Sequence, residues 1–209
     1  MAETFGRFAA VPIGPLLAAR DSGLALATTG AANINRAARS DVVRDSGTAG
    51  VEFAVWGDDD MAAVVGAVNA SASLSAVLGG AGSIGWNLAV GSLRINGTTV
   101  KTGLAAVATG DMVGVLVIFG AQMTVRLYRN GQLLHEATAA TLGPLYFAAS
   151  LAATKPGGAC RVCQRRAVGG QQPCCCSWLG AAVGSRHCRR NLGPRFPDRP
   201  RRHPGKRPI

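Results

Sequence analysis

The sequence predicts an all-β protein, an antiparallel β-sandwich, and three observations carry that expectation. Strand-length apolar runs follow one another with no helical periodicity between them. Short turn signals separate them: DSG (21–23), GDDD (57–60), GGAGS (79–83), NGTT (96–99), TGD (109–111), RNG (129–131) and LGP (142–144). At least one run alternates strictly. That spacing of short strands and turns is the pattern of a sandwich.

The candidate strands, in order, are LALATT (24–29), VEFAVW (51–56), MAAVVGAV (61–68), IGWNLAV (84–90), SLRI (92–95), MVGVLVIF (112–119), MTVRLYR (123–129), QLLHEA (132–137) and LYFAASL (145–151). In MTVRLYR, Met123, Val125 and Leu127 alternate with Thr124, Arg126 and Tyr128, the period of a half-buried strand. Asn130-Gly131 then supplies the two positive-φ residues of a type I′ turn. Asp tolerates such a φ nearly as well as Asn, so Asp is expected to serve at position 130. MVGVLVIF is apolar on both phases and is expected to be covered on both faces. Strands 112–119, 123–129 and 132–137 are expected to form a meander at the centre of the sandwich. ARSDVVR (38–44) reads as a helical turn.

The net charge of +11 and the six cysteines are not spread along the chain. Residues 1–155 hold ten Lys+Arg against ten Asp+Glu and no cysteine. Residues 156–209 hold twelve basic residues, one acid (Asp198) and all six cysteines. Composition therefore divides the chain into an N-terminal segment (1–19), a sandwich (20–155) and an Arg/Pro/Cys-rich tail (156–209). No apolar run reaches the ~18 residues of a membrane helix, and no membrane partner is expected. Two prolines interrupt FAAVPIGPLLAA (8–19), so it is not read as a signal peptide.

Catalytic chemistry finds little purchase. His135 and Glu136 are neighbours on a predicted strand and face opposite sides, which rules out a simple acid–base dyad. No nucleophile elbow, phosphate loop or carboxylate pair is present, so no catalytic residue, cofactor or enzyme activity is expected. Asp58, Asp59 and Asp60 could gather a hard cation, but adjacent carboxylates on an extended chain diverge, and a solvated hairpin tip is the simpler reading. Trp56, Trp86, Tyr128 and Tyr146 could stack on a ligand or serve packing.

The order of these pieces resembles a SPRY domain, in particular the SPRY-like domains of bacteria and their phages. The matching stretches are SGTAGVEFAV (46–55), VVGAVNASASL (64–74), GSIGWNLAVGSLRINGT (82–98), GDMVGV (110–115) with LYRNG (127–131), and LYFAASL (145–151). Two departures are FGAQ (119–122), where an acidic turn is usual, and Phe147 in place of a proline. The resemblance implies a concanavalin A-like jelly-roll sandwich that binds a protein or peptide through loops at one end. Trp86, Asn87, Arg94, Tyr128 and Arg129 are then the candidate ligand contacts. It also implies a phage or prophage particle, at a tail or virion surface, as a setting after cytoplasmic synthesis. A carbohydrate-binding module using Trp86 is the alternative.

The tail admits three readings. Cys160 and Cys163 with Cys174–Cys176, His187 and Cys188 suggest zinc, but three consecutive cysteines cannot all reach one ion. The arginines suggest nucleic acid, bound only non-specifically because few aromatics interleave them. The favoured reading is a tail translated out of frame. An excess of Arg, Pro, Cys and Gly is what shifted high-GC codons give, and the segment offers few apolar residues to bury. On that reading the tail is disordered and the sandwich lacks its last strand.

Overall fold

The computed structural model describes residues 17–20, 25–28, 36–57, 62–152 and 160–165, as two antiparallel sheets around one core. The larger sheet runs β1 (Leu17–Arg20), β2 (Ala25–Thr28), β13 (Cys160–Arg165), β4 (Thr48–Gly57), β9 (Met112–Ile118), β10 (Gln122–Arg129), β11 (Gln132–Ala140). The smaller runs β3 (Arg36–Arg44), β12 (Leu145–Ala152), β5 (Ala62–Val68), β6 (Ser83–Asn87), β7 (Ser92–Ile95), β8 (Thr98–Lys101). The all-β sandwich expected from punctuation and alternation is the fold.

Alternation decides what enters the core. From the larger sheet come Val51, Phe53 and Val55, then Val113, Val115 and Val117, then Met123, Val125 and Leu127. From the smaller come Ala63, Val65 and Ala67, with Ile84, Trp86, Leu93, Ile95, Phe147, Ala149 and Leu151. A fully buried side chain the size of valine or leucine contributes about 1.5–3 kcal/mol of transfer free energy, so the layer between the sheets dominates stability.

β5 is buried on both phases because a second layer lies outside it. The β5–β6 connection, residues 69–82, crosses the outer face of the smaller sheet, and its Leu74 and Leu78 pack with Ala37, Val64, Val68 and Ala148. The Ala37 amide donates to the Leu74 carbonyl at 3.0 Å, which fixes the connection to β3. Ala148, Gly66 and Gly85 stand side by side across three strands and leave a trough there. The Leu78 carbonyl and Gly79 amide lie where a Cβ on Gly85 would be. Asn69 starts the connection by accepting from the Ser71 amide and hydroxyl at 3.1 and 3.0 Å.

Several expectations are corrected. Residues 38–44 are not a helical turn: they lie in β3, held in register by β12. IGWNLAV ends as a strand at Asn87, and the Val-Gly stretch at 64–74 ends as a strand at Val68. The β9–β10–β11 meander sits at one margin of its sheet, not at the centre. β8 occupies a stretch that reads as a turn. β1 begins at Leu17, three residues before the 20–155 span, and β13 follows that span. β13 pairs with both β4 and β2, Val162 opposite Val55 and Gln164 opposite Phe53, so the last strand is supplied by the sequence as it stands. The rest of the tail, and the Asp58–Asp60 turn, lie outside the described residues.

Two stability tests follow from this packing. Val115→Asp is expected to abolish cooperative unfolding, because Val115 is 1% exposed and an unpaired carboxylate there costs several kcal/mol. Arg126→Ala, which removes one surface ion pair with Glu136, is expected to cost under about 1 kcal/mol. The reverse ranking in denaturant titrations would invert the assignment of faces. Gly85→Ala is expected to cost roughly 1–3 kcal/mol through overpacking. It should also speed hydrogen exchange at the Ala37 amide, which the displaced connection no longer covers.

Candidate functional site

The carboxyl ends of β4, β6 and β10 and the amino ends of β5, β7, β9 and β11 meet at one end of the sandwich. Among the described residues, three connections emerge there: the β6–β7 turn (88–91), the β8–β9 strap (102–111) and the β10–β11 turn at Asn130-Gly131. Hydrogen bonds join them. At one end of the strap, the Leu104 amide donates to the Gly91 carbonyl at 2.9 Å. Further along, the Val107 amide donates to the Leu88 carbonyl at 3.1 Å.

Its far end closes on Asp111. The Asp111 Oδ2 accepts from Arg129 Nε at 2.8 Å and from the Ala108 amide at 2.8 Å, and lies 2.7 Å from the Arg129 Nη2. Oδ1 accepts from Asn130 Nδ2 at 2.8 Å. Asn130 in turn accepts from the Met112 amide through Oδ1 at 2.9 Å and donates its own amide to the Met112 carbonyl at 2.7 Å. The Asp111 carbonyl and Gly110 amide bond to Val55 at 3.1 and 2.8 Å. The Asp111 carboxylate therefore ties strap and hairpin together, and the backbone of Gly110 and Asp111 adds β4. Asn130 (φ 51°) and Gly131 (φ 81°) both have positive φ, as a type I′ turn requires.

Burial works to raise the Asp111 pKa, but the Ala108 amide, the Asn130 side chain and the Arg129 guanidinium outweigh it and hold the carboxyl below its ordinary value.

The candidate ligand residues do not form one cluster. Trp86 is fully buried in the core, so it offers no face to a peptide or a sugar, and the carbohydrate reading loses its stacking platform. Its indole Nε1 has no hydrogen-bond partner among the described residues. Asn87 is half-buried and spends its Oδ1 on the Ala89 and Val90 amides at 3.1 and 3.0 Å, shaping the β6–β7 turn. Arg94 lies on the outer face of the smaller sheet, donating to the Gly97 carbonyl at 3.0 Å, away from this end. Tyr128 and Arg129 belong to the other sheet: Tyr128 leans over Gly114, and Arg129 is committed to Asp111.

Among the described residues no three His, Cys, Asp or Glu side chains gather as metal ligands. His135 takes the core register opposite Leu127 and Glu136 the outer register opposite Arg126, so the two diverge as neighbours on a strand must. Of the tail's cysteines, Cys160 and Cys163 lie on β13, and the others lie outside the described residues. The organising role of Asp111 is missed in the sequence. Its signal is the Gly-Asp before one strand and the Arg-Asn-Gly after the next.

The Asp111 ring predicts an acid-dependent stability. A carboxyl whose folded pKa is depressed stabilises fully above its unfolded value, near 3.8, and that contribution fades as pH falls through the folded value. Asp111→Asn should be less stable than the parent at pH 7 and should lose less on acidification. The ring also bears on position 130, where positive φ alone would accept Asp. Asn130→Asp removes the donor to Asp111 and sets two carboxylates together, at about 1–3 kcal/mol by urea titration at neutral pH, a loss that protonation relieves. Equal stability of Asn130→Asp and the parent would show that the ring contributes nothing to stability.

No family model matches the sequence, and no curated protein matches it in sequence. Among solved structures, the SPRY domain of human HERC1 superposes with a TM-score of 0.60 at 16% identity, over 73% of this chain and 94% of that one. The TRIM65 PSpry domain gives 0.59 at 13%, over 76% and 88%. A further human SPRY domain gives 0.53 at 15%, over 71% and 94%. At such identities the likeness is one of fold, and it covers nearly the whole of each domain. The fold of this chain is that of a SPRY domain.

Proposed function

We propose that the chain is a binding module without catalytic machinery, which recognises a protein or peptide through the end of the sandwich built around Asp111. The observation that carries this reading is the stitched platform itself. Residues 88–91, 102–111 and 130–131 are cross-bonded and so held ready, which lowers the ordering cost of binding. Val90 and Leu133, 69% and 53% exposed, stand at that end and are the most exposed large apolar side chains among the described residues. Apolar groups left in water on a pre-formed loop surface are an expected signature of a contact site. Asn87 and Arg129 support this surface from beneath, and Tyr128 borders it. For the setting, the motif resemblance to bacterial and phage-encoded domains is the support, and it favours a virion or tail surface.

The test selects binders to the full chain from a random peptide library and measures them against a Val90→Glu/Leu133→Glu double variant. Binding is expected to fall about tenfold or more, the scale of losing two interface anchors. Val43→Glu, on an exposed β3 position, is expected to leave it unchanged. Binders that respond only to Val43→Glu would move the site elsewhere. Binding on a glycan array without any peptide binding would replace the reading with a carbohydrate module.

A further inference from the structure

Among the described residues the two sheets have four edges, and three are protected. β1 and β8 are four-residue strands, too short to template much pairing, and β8 carries Lys101. β3 has nine residues, but Arg36, Arg39, Asp41 and Arg44 punctuate it, a register shift bends its pairing with β12, and the Leu74 carbonyl already occupies its Ala37 amide. β11 is interrupted only near its start, where the register shift against β10 skips Leu134, and from His135 to Ala140 it has none of these devices. It is nine residues long, QLLHEATAA, with no Lys, Arg or Pro. Its one acid, Glu136, is drawn back onto Arg126 of its own sheet. Among the described residues no hydrogen bond reaches β11 from its outer side. The core beside it is also incompletely closed, since Leu134, Ala139 and Leu142 are only partly buried against it.

We propose that β11 is a strand-addition site whose occupant is β11 of a second copy, paired antiparallel across a two-fold axis. Facing residues in an antiparallel pair share a sheet face, so joining core phase to core phase allows only registers that slide by whole two-residue steps. Full overlap sets Glu136 against Glu136. One step along, Ala137 lies on the axis, Glu136 faces Thr138, His135 faces Ala139 and Leu134 faces Ala140. This register sets no like charges opposite one another, runs through the regular stretch His135–Ala140, and places Leu134, which the register shift between Leu127 and Tyr128 leaves unpaired, at its margin. The small residues Ala137, Thr138, Ala139 and Ala140 let the second backbone approach. The addition continues the larger sheet across both copies and covers the open margin at Leu134 and Ala139, as an isologous contact does.

The register is testable by charge at one exposed position. Thr138→Glu sets the introduced carboxylate of one copy against Glu136 of the other, twice per dimer, whereas Thr138→Lys sets a cation there. Sedimentation equilibrium of the full chain is expected to show a dimer that Thr138→Glu weakens about tenfold and Thr138→Lys preserves or tightens. A chain that stays monomeric, or a dimer indifferent to Thr138→Glu, overturns the proposal. Hydrogen exchange on the unmodified chain gives a second readout that needs no variant. Amides of 134–140 should become more protected as concentration rises, and protection that appears only with an added peptide overturns the second copy as occupant.

Discussion

The carboxylate of Asp111 is the constraint on which the end of the sandwich carrying the strap and the β10–β11 turn depends. Sheets fix the strands, but the strap of residues 102–111 is irregular and has no ladder of its own. It is ordered by bonds at its two ends, to Gly91 and Leu88 on one side and to Asp111 on the other. Asp111 satisfies the Ala108 amide, the Asn130 amide group and the Arg129 guanidinium together, so removing it leaves three donors in search of partners. Because Arg129 and Asn130 belong to the adjacent hairpin, the strap inherits the rigidity of β9 and β10. A loop surface held in this way keeps one shape for a partner to recognise.

Most of the fold is legible from residue type and spacing. The alternation of Met123, Val125 and Leu127 names the buried face of β10, and Asn130-Gly131 names its turn, because period two and positive φ are local properties. What escapes are features set by distant chain. β3 reads as a helical turn because Arg39 and Asp41 break its alternation, and only pairing with β12 makes it a strand. Trp86 looks like a ligand platform because it borders a turn, yet its phase on β6 points it between the sheets. Asn87 and Arg129 stand out beside their turns in the sequence, and in the fold their polar groups serve the turn and the strap. Composition drew the domain boundary at 155, and composition cannot see that Val162 is opposite Val55.

The outer face of the smaller sheet shows the same limit from another side. Residues 69–82 are rich in Ser, Ala and Gly, a composition common in exposed loops. Leu74 and Leu78 instead make that loop a third layer, and the trough of Gly66, Gly85 and Ala148 exists to receive it. Positions that look permissive in the sequence are therefore packed, and glycine is needed at 85 for space as much as for freedom.

The placement of β13 has a consequence for how the chain is made. The strand latest in sequence among those described lies between β2 and β4, two of the earliest. While the chain is being synthesised, β4 can pair with β9, but its other side stays open until residues 160–165 have emerged. Until then the β1–β2 pair has no ladder to join. The larger sheet thus closes only once residues 160–165 are available, through a contact spanning over a hundred residues, the kind of pairing that forms late and slowly. A growing chain stalled before that point would present the flank of β4 to its neighbours, making the docking of β13 the step that ends the molecule's exposure to misassembly.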